Sequence, residues 1–257
     1  MVSNMSHNER AVVIIPARFA SSRYPGKPLV NLLGKPMILW VAELAEKAIG
    51  RENVYIATDD DRIKDAVEDA GFNIVMTGPA LTGTDRLAQA AEQVNAEIFV
   101  NVQGDEPLAD PSDILKVLEY KRSHPEFIIN GFSYLNEDEN PSNVNIPKVI
   151  TTEDDKLVYM SRAPIPGFKD QENAPKKYKK QVCIYAFSKN ELRTFGSFGR
   201  KSSLEQSEDI EILRFLEFGK TIKMIETKPG SYAVDAPSDV AIVEEAMKSR
   251  GFKNETL

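Results

Sequence analysis

The densest group of chemically capable side chains lies in residues 16–29, PARFASSRYPGKPL, where Arg18, Arg23 and Lys27 accompany Ser21, Ser22 and Gly26. The segment directly follows an apolar run. It therefore offers what a triphosphate requires: fixed positive charge, pliable backbone N–H groups and little steric bulk. Pro28 is expected to hold Lys27 extended, with its ammonium clear of any helix. A solvated basic loop has the same composition, so both readings stand for this segment alone.

Asn101-Val102-Gln103-Gly104-Asp105-Glu106-Pro107 ends a second apolar run. Asp105, freed by Gly104 and fixed by Pro107, is a candidate Mg2+ ligand. The same residues also make an ordinary strand-ending turn. Asp235, in VDAPSD, is a candidate second ligand, while Asp239 reads equally as a first-turn helix acid. Nothing in the spacing brings Asp105 and Asp235 together. Thr82-Gly83-Thr84-Asp85-Arg86 enters a helix and offers backbone N–H groups to a nucleotide, or simply a cap at Thr82 or Thr84. Glu205, Glu208 and Glu211 recur every three residues, which on one helix makes an acidic, solvated side. Tyr185 and Arg162 carry no signal alone. Cys183 reads as a small core residue with no basic partner, and Trp40 as core.

Strands must carry these groups. Apolar runs at 11–15, 54–57, 74–76 and 98–102 alternate with helical spacing at 37–49, 61–70 and 86–94. That alternation implies an α/β fold, with a mostly parallel sheet covered by helices on both faces. Such sheets bind ligands at the carboxyl ends of their strands. Beyond 127 the pattern loosens. Strands are expected at 127–134, 147–151, 156–160, 182–187 and 222–226, with a basic excursion at 164–180. A helix over 203–218 opens with Ser202 and Glu205 spaced as a capping box, and a closing helix covers 240–248. The expected organisation is a flexible segment 1–10, then one α/β domain over 11–250 with an antiparallel insertion at about 130–190.

The 257 residues carry a net charge of −7, with 42% hydrophobic and 28% charged side chains. This is ordinary globular composition, and the acidic balance argues against nucleic-acid or anionic-membrane binding. One cysteine excludes an internal disulfide framework, and two histidines disfavour a histidine metal site. No apolar run approaches a bilayer span and the polar start lacks a secretory pattern, so the expected compartment is the cytoplasm. Dinucleotide and P-loop chemistry lose ground because neither GxGxxG nor GxxxxGK[ST] occurs.

Taken together, PAR-x-x-SSR-x-PGKPL, ATDD, GTDRL, VQGDEP, SRAPIP and VDAPSD resemble the 3-deoxy-manno-octulosonate (Kdo) cytidylyltransferases in content and order, over about 12–240. The resemblance implies a Rossmann-like nucleotide-diphospho-sugar transferase fold and a homodimer with an antiparallel dimerisation portion. It also implies use of CTP and Mg2+ to activate an eight-carbon sugar acid for lipopolysaccharide. Arg18 and Lys27 match the family's triphosphate-binding cations, and Asp105 and Asp235 its magnesium carboxylates. Gly83 and Arg86 fall in its nucleotide loop, where Thr82 replaces the usual Ser. Gln103, Arg162, Tyr185 and Glu211 match positions around the sugar acid, with Glu208 expected nearby.

Two departures are expected to fall in that sugar pocket: Gln181 stands for the family's usual His, and Ile212 for a Gln. They suggest the 8-amino-3,8-dideoxy sugar in place of Kdo, because a pocket with glutamates and no His welcomes an amine. The implied chemistry is in-line attack of the anomeric hydroxyl on the α-phosphorus of CTP, with pyrophosphate leaving. A nine-carbon (sialic-acid-type) cytidylyltransferase and a non-catalytic nucleotide-binding protein are the alternatives.

Overall fold

Six buried residues, Ala11–Pro16, form β1 at the centre of the molecule. A short hairpin, β2 (Asn31–Leu32) and β3 (Lys35–Pro36), precedes helix α1, Met37–Ile49, which buries Ile38, Val41 and Ala45. The alternation continues through β4 (Val54–Thr58), α2 (Asp61–Asp69), β5 (Asn73–Met76), α3 (Gly83–Gln93) and β6 (Ile98–Val102). α4 (Pro111–Ser123) leads to β7 (Ile128–Tyr134), β8 (Lys148–Thr151), β9 (Leu157–Ser161) and β10 (Lys179–Ser188). The chain ends with α5 (Lys189–Ser197), α6 (Ser203–Glu208), α7 (Leu213–Glu217), β11 (Ile222–Glu226) and α8 (Asp239–Ser249). This computed structural model describes residues 9–20, 24–230 and 232–255; Ser21, Ser22, Arg23 and most of segment 1–10 lie outside the described residues.

Among the described residues a nine-stranded sheet has the main order β11-β7-β10-β6-β1-β4-β5. β1 is parallel to both β4 and β6, and β11 is parallel to β7. β10 runs antiparallel between β6 and β7, and β8 pairs with its start and with β9. The expected mostly parallel sheet and antiparallel portion are both present. From β1 the chain moves first to β4 and β5, then returns to β6 on the other side. Ligand crevices form outside the carboxyl ends of strands at such a reversal.

Three expectations need correction. β10 starts at Lys179, so it takes in the end of the supposed basic excursion. α4 and α5 were not expected; α4 is N-capped by Asp110 with Pro111 in its first turn, and α5 by Ser188 with Glu191 returning the bond. The single helix over 203–218 is two helices. Asp209 adopts a left-handed conformation, φ 51° and ψ 46°, which an aspartate tolerates better than most residues but a helix cannot contain.

Candidate functional site

A cleft of about 500 Å3 opens at the carboxyl ends of β1 and β6. After β6 the chain must turn tightly, and Gly104 permits it: a Cβ there would lie 3.2 Å from the Pro16 carbonyl oxygen. The turn delivers Asp105. Its backbone carbonyl accepts the Val234 N–H at 3.1 Å, which brings the neighbouring Asp235 to the same place. Asp239, at the start of α8, accepts the N–H groups of Asp235 and Ala236, each at 2.8 Å, and so fixes that loop.

Lys27 completes the group. Its Nζ stands 2.6 Å from Asp105 Oδ2 and 3.7 Å from Asp235 Oδ1, all three side chains being partly buried. Lys27 is not extended, as expected from Pro28, but opens a 3-10 turn, Lys27–Leu29, entered through a left-handed Gly26 at φ 72°. Arg18, just past β1, is exposed on the cleft wall. Two carboxylates holding one cation between them form a donor set that suits Mg2+, which takes one or two protein carboxylates and fills its shell with water and phosphate. Among the described residues no group of three or more metal-ligating side chains gathers.

The N-terminus of α3 forms a second wall. Thr82 caps it by accepting from the Asp85 N–H at 3.1 Å. The Gly83 and Thr84 N–H groups, expected to meet a nucleotide, donate instead to Glu211 at 3.0 and 2.7 Å. Burial pushes the Glu211 carboxyl upward, while the Thr84 hydroxyl and these two N–H groups pull part of the way back; the net direction is up. Arg86 lines the cleft but is buried and tied to Asp59 at 2.8 Å and to the Thr77 hydroxyl, so it braces the ATDD loop from the cleft wall.

The third wall is the expected sugar side. Gln103, Arg162, Gln181, Tyr185 and Glu211 all line the cleft, whereas Glu208 and Ile212 do not. Glu208 turns to β9, accepting from the Ser161 hydroxyl at 2.7 Å, the Arg162 N–H at 2.8 Å and the Tyr159 hydroxyl at 3.2 Å. Ile212 is 2% exposed and packs in the apolar core with Phe215. The acidic side expected of the three glutamates does not exist: the break at Asp209 sends them to different partners. Glu205 is fully buried against Arg214, at 2.6 Å.

The Arg162 guanidinium binds the carbonyls of Glu208, Val144 and Asp209. It braces this wall as much as it faces the cleft. Gln181 donates to Asn130 Oδ1 at 3.0 Å and to the Tyr185 hydroxyl at 3.2 Å. Burial chiefly, with Cys183 and Glu211 adding, raises the Tyr185 pKa well above the usual phenol range. Cys183 packs against the core, as expected, and also reaches the cleft wall, where burial and nearby Glu106 and Asp105 push its thiol pKa up and keep it a poor nucleophile. Sequence reasoning missed Asn130, Asp138, Glu139 and Tyr232. Asp138, Glu139 and Tyr232 line the cleft from loops that carry no motif.

A model of the cytidylyltransferase family matches residues 12–222. The chain belongs to the cytidylyltransferase family. A protein of Shewanella amazonensis named 8-amino-3,8-dideoxy-manno-octulosonate cytidylyltransferase is 41% identical over 247 residues, covering 92% of this chain and 98% of the relative. One of the same name from Shewanella baltica is 39% identical over 244 residues, covering 91% and 97%. A solved CMP:2-keto-3-deoxy-manno-octonic acid synthetase complexed with CTP superposes with a TM-score of 0.85 at 36% identity, covering 94% of this cytidylyltransferase and 99% of that chain. An inositol-1-phosphate CTP transferase from T. maritima, with TM-score 0.69, 18% identity and coverage of 94% and 97%, shares the fold.

Proposed function

We propose that the chain transfers CMP from CTP to an eight-carbon 3-deoxy-2-keto sugar acid, the 8-amino-3,8-dideoxy analogue of Kdo, and releases pyrophosphate. The observation that carries this reading is the meeting of Asp105 and Asp235 around Lys27 at the strand reversal, opposite a wall of Gln103, Gln181, Tyr185 and Glu211. Lys27 and Arg18 neutralise the β- and γ-phosphates. Asp105 and Asp235 hold Mg2+, which when bound supplies charge neutralisation at the reacting phosphate and lowers the pKa of the attacking hydroxyl. Gly83 and Arg86 shape the nucleotide wall. Gln103, Arg162, Tyr185 and Glu211 orient the sugar acid so that its anomeric oxygen faces the α-phosphorus. A bond forms between that oxygen and phosphorus as the α–β bridging bond breaks, and the hydroxyl proton leaves to solvent.

The amino sugar is favoured by the names of the 39–41% identical relatives and by Gln181 in place of His. A non-catalytic nucleotide-binding role would not require the complete set of Lys27, Asp105 and Asp235 that stands together here. The same reading makes the enzyme a cytoplasmic homodimer serving lipopolysaccharide synthesis. Among the described residues no helix is long and apolar enough to cross a membrane.

The test is Asp105→Asn, which keeps size and removes charge. It should lower kcat by about 10²-fold or more, the scale of one lost transition-state electrostatic contact, and EDTA should abolish turnover of the native enzyme. Near-normal activity in Asp105→Asn would remove the metal site from this account.

A further inference from the structure

We propose that the buried Asn130 is a positioning residue that sets which substituent the sugar pocket accepts, by holding Gln181 as a hydrogen-bond acceptor towards the cleft. The proposal rests on the octulosonate reading and adds to it a residue that touches no substrate.

The argument begins in the sheet. β7 and β10 pair in register until Val182 meets Gly131, but the next pair is Tyr185 with Asn130, so β10 carries extra residues opposite β7. Such an irregularity disrupts the ladder locally and re-aims side chains, and bulges of this kind concentrate beside active sites. Asn130 is fully buried at this point. Its Nδ2 donates to the carbonyls of Val182 at 2.9 Å and Ile184 at 3.0 Å. Two carbonyl acceptors can be met only by an NH2 group, so the Asn130 amide has one possible orientation. Its oxygen is thereby turned to Gln181.

The constraint then passes along the wall. Asn130 Oδ1 needs a donor, and Gln181 Nε2 provides it at 3.0 Å. The second Nε2 hydrogen goes to the Tyr185 hydroxyl at 3.2 Å. Both Gln181 donors are spent inside the protein, which leaves the carbonyl Oε1 as what this cleft-lining side chain offers a ligand. An acceptor suits a group that has only donors. An ammonium meets it with a charge-assisted bond and asks for no donor in return, while a hydroxyl gains less and leaves its own lone pairs to be met elsewhere. A histidine at this position would present a different set of donors and, when protonated, a charge that repels an ammonium.

The experiment compares kcat/KM for the 8-amino-3,8-dideoxy sugar and for Kdo in the native enzyme, Asn130→Ser and Asn130→Ala. The native enzyme should prefer the amino sugar. In both variants the preference should fall by roughly tenfold, the discrimination expected of one correctly faced hydrogen bond, with KM for CTP within about twofold of native. Asn130→Ser retains a hydroxyl donor for one of the two carbonyls. Should neither variant fold, Gln181→Met removes the same acceptor without disturbing the bulge, and must show the same drop. Equal slowing of both sugars with an unchanged ratio overturns the role of Asn130 while leaving the octulosonate reading intact. Turnover of neither sugar by the native enzyme overturns that reading and the inference with it.

Discussion

Glu208, which its spacing suggests is a solvated acid and the family resemblance suggests is a neighbour of the sugar, is a brace. Its oxygens face β9, where burial pushes the carboxyl pKa up but the Arg162 N–H and the Ser161 and Tyr159 hydroxyls outweigh it; the net shift is down. A group whose pKa is lowered on folding stabilises the fold above its unfolded value and loses that contribution as pH falls through its folded value. The difference in Tm between the native protein and Glu208→Gln should therefore be constant from pH 7 down to roughly the ordinary Glu value of about 4.3, and close below it. A gap that widens on acidification would contradict the hydrogen-bonding scheme. Lys27, Asp105 and Asp235 stand out as candidates only when their segments are taken together, since each segment alone also reads as an ordinary loop or turn. The meeting of Asp105 with Asp235 was not legible, because it depends on one backbone hydrogen bond across 129 positions, from Val234 to Asp105. Ile212 was misplaced for the opposite reason: neighbours in sequence to a cleft residue need not share its face.

At the scale of elements, the break between α6 and α7 arranges the site. A continuous helix would have aligned Glu205, Glu208 and Glu211. The left-handed Asp209 instead lets Glu211 reach the N-terminus of α3 while Arg214 reaches inward. Arg214 is fully buried and pairs with Glu205 at 2.6 Å and Asp85 at 2.8 Å. Burial works against its charge, but the bonds to Glu205 and Asp85 more than restore it and raise its pKa. This triad joins the two helices to α3 and holds Glu211 against Gly83 and Thr84. Arg214→Met leaves Glu205 and Asp85 buried without a counter-charge, and should destabilise by about 3–5 kcal/mol, the usual result of removing one partner from a buried pair. Denaturant unfolding measures this directly, and a loss within experimental error would show the triad to be unimportant. Helical periodicity suggested one helix because it reads side-chain spacing, and the left-handed turn lies in a single residue. α4 and α5 left clearer traces in their cap signals, Asp110-Pro111 and Ser188 with Glu191, and in buried apolar residues at helical spacing, Ile114, Val117 and Leu118 in α4 and Leu192 and Phe195 in α5.

For the molecule as a whole, the parallel half was legible because buried parallel strands are continuous apolar runs separated by amphipathic helices. The placement of β10 between β6 and β7 was not, since strand order is decided by long-range packing that no local pattern encodes. That insertion sets the Gln181–Tyr185 wall beside the ends of β1 and β6, so the walls proposed for the nucleotide and for the sugar share one cleft. The most direct test is to incubate the purified protein with Mg2+, a panel of nucleoside triphosphates and a panel of sugar acids, following pyrophosphate release and the mass of the product. CTP with 8-amino-3,8-dideoxy-octulosonate should yield pyrophosphate and the CMP-sugar, with Kdo slower, and ATP or GTP giving little. Equal turnover of all triphosphates, or a CMP product formed only with a nine-carbon acid, would contradict the account.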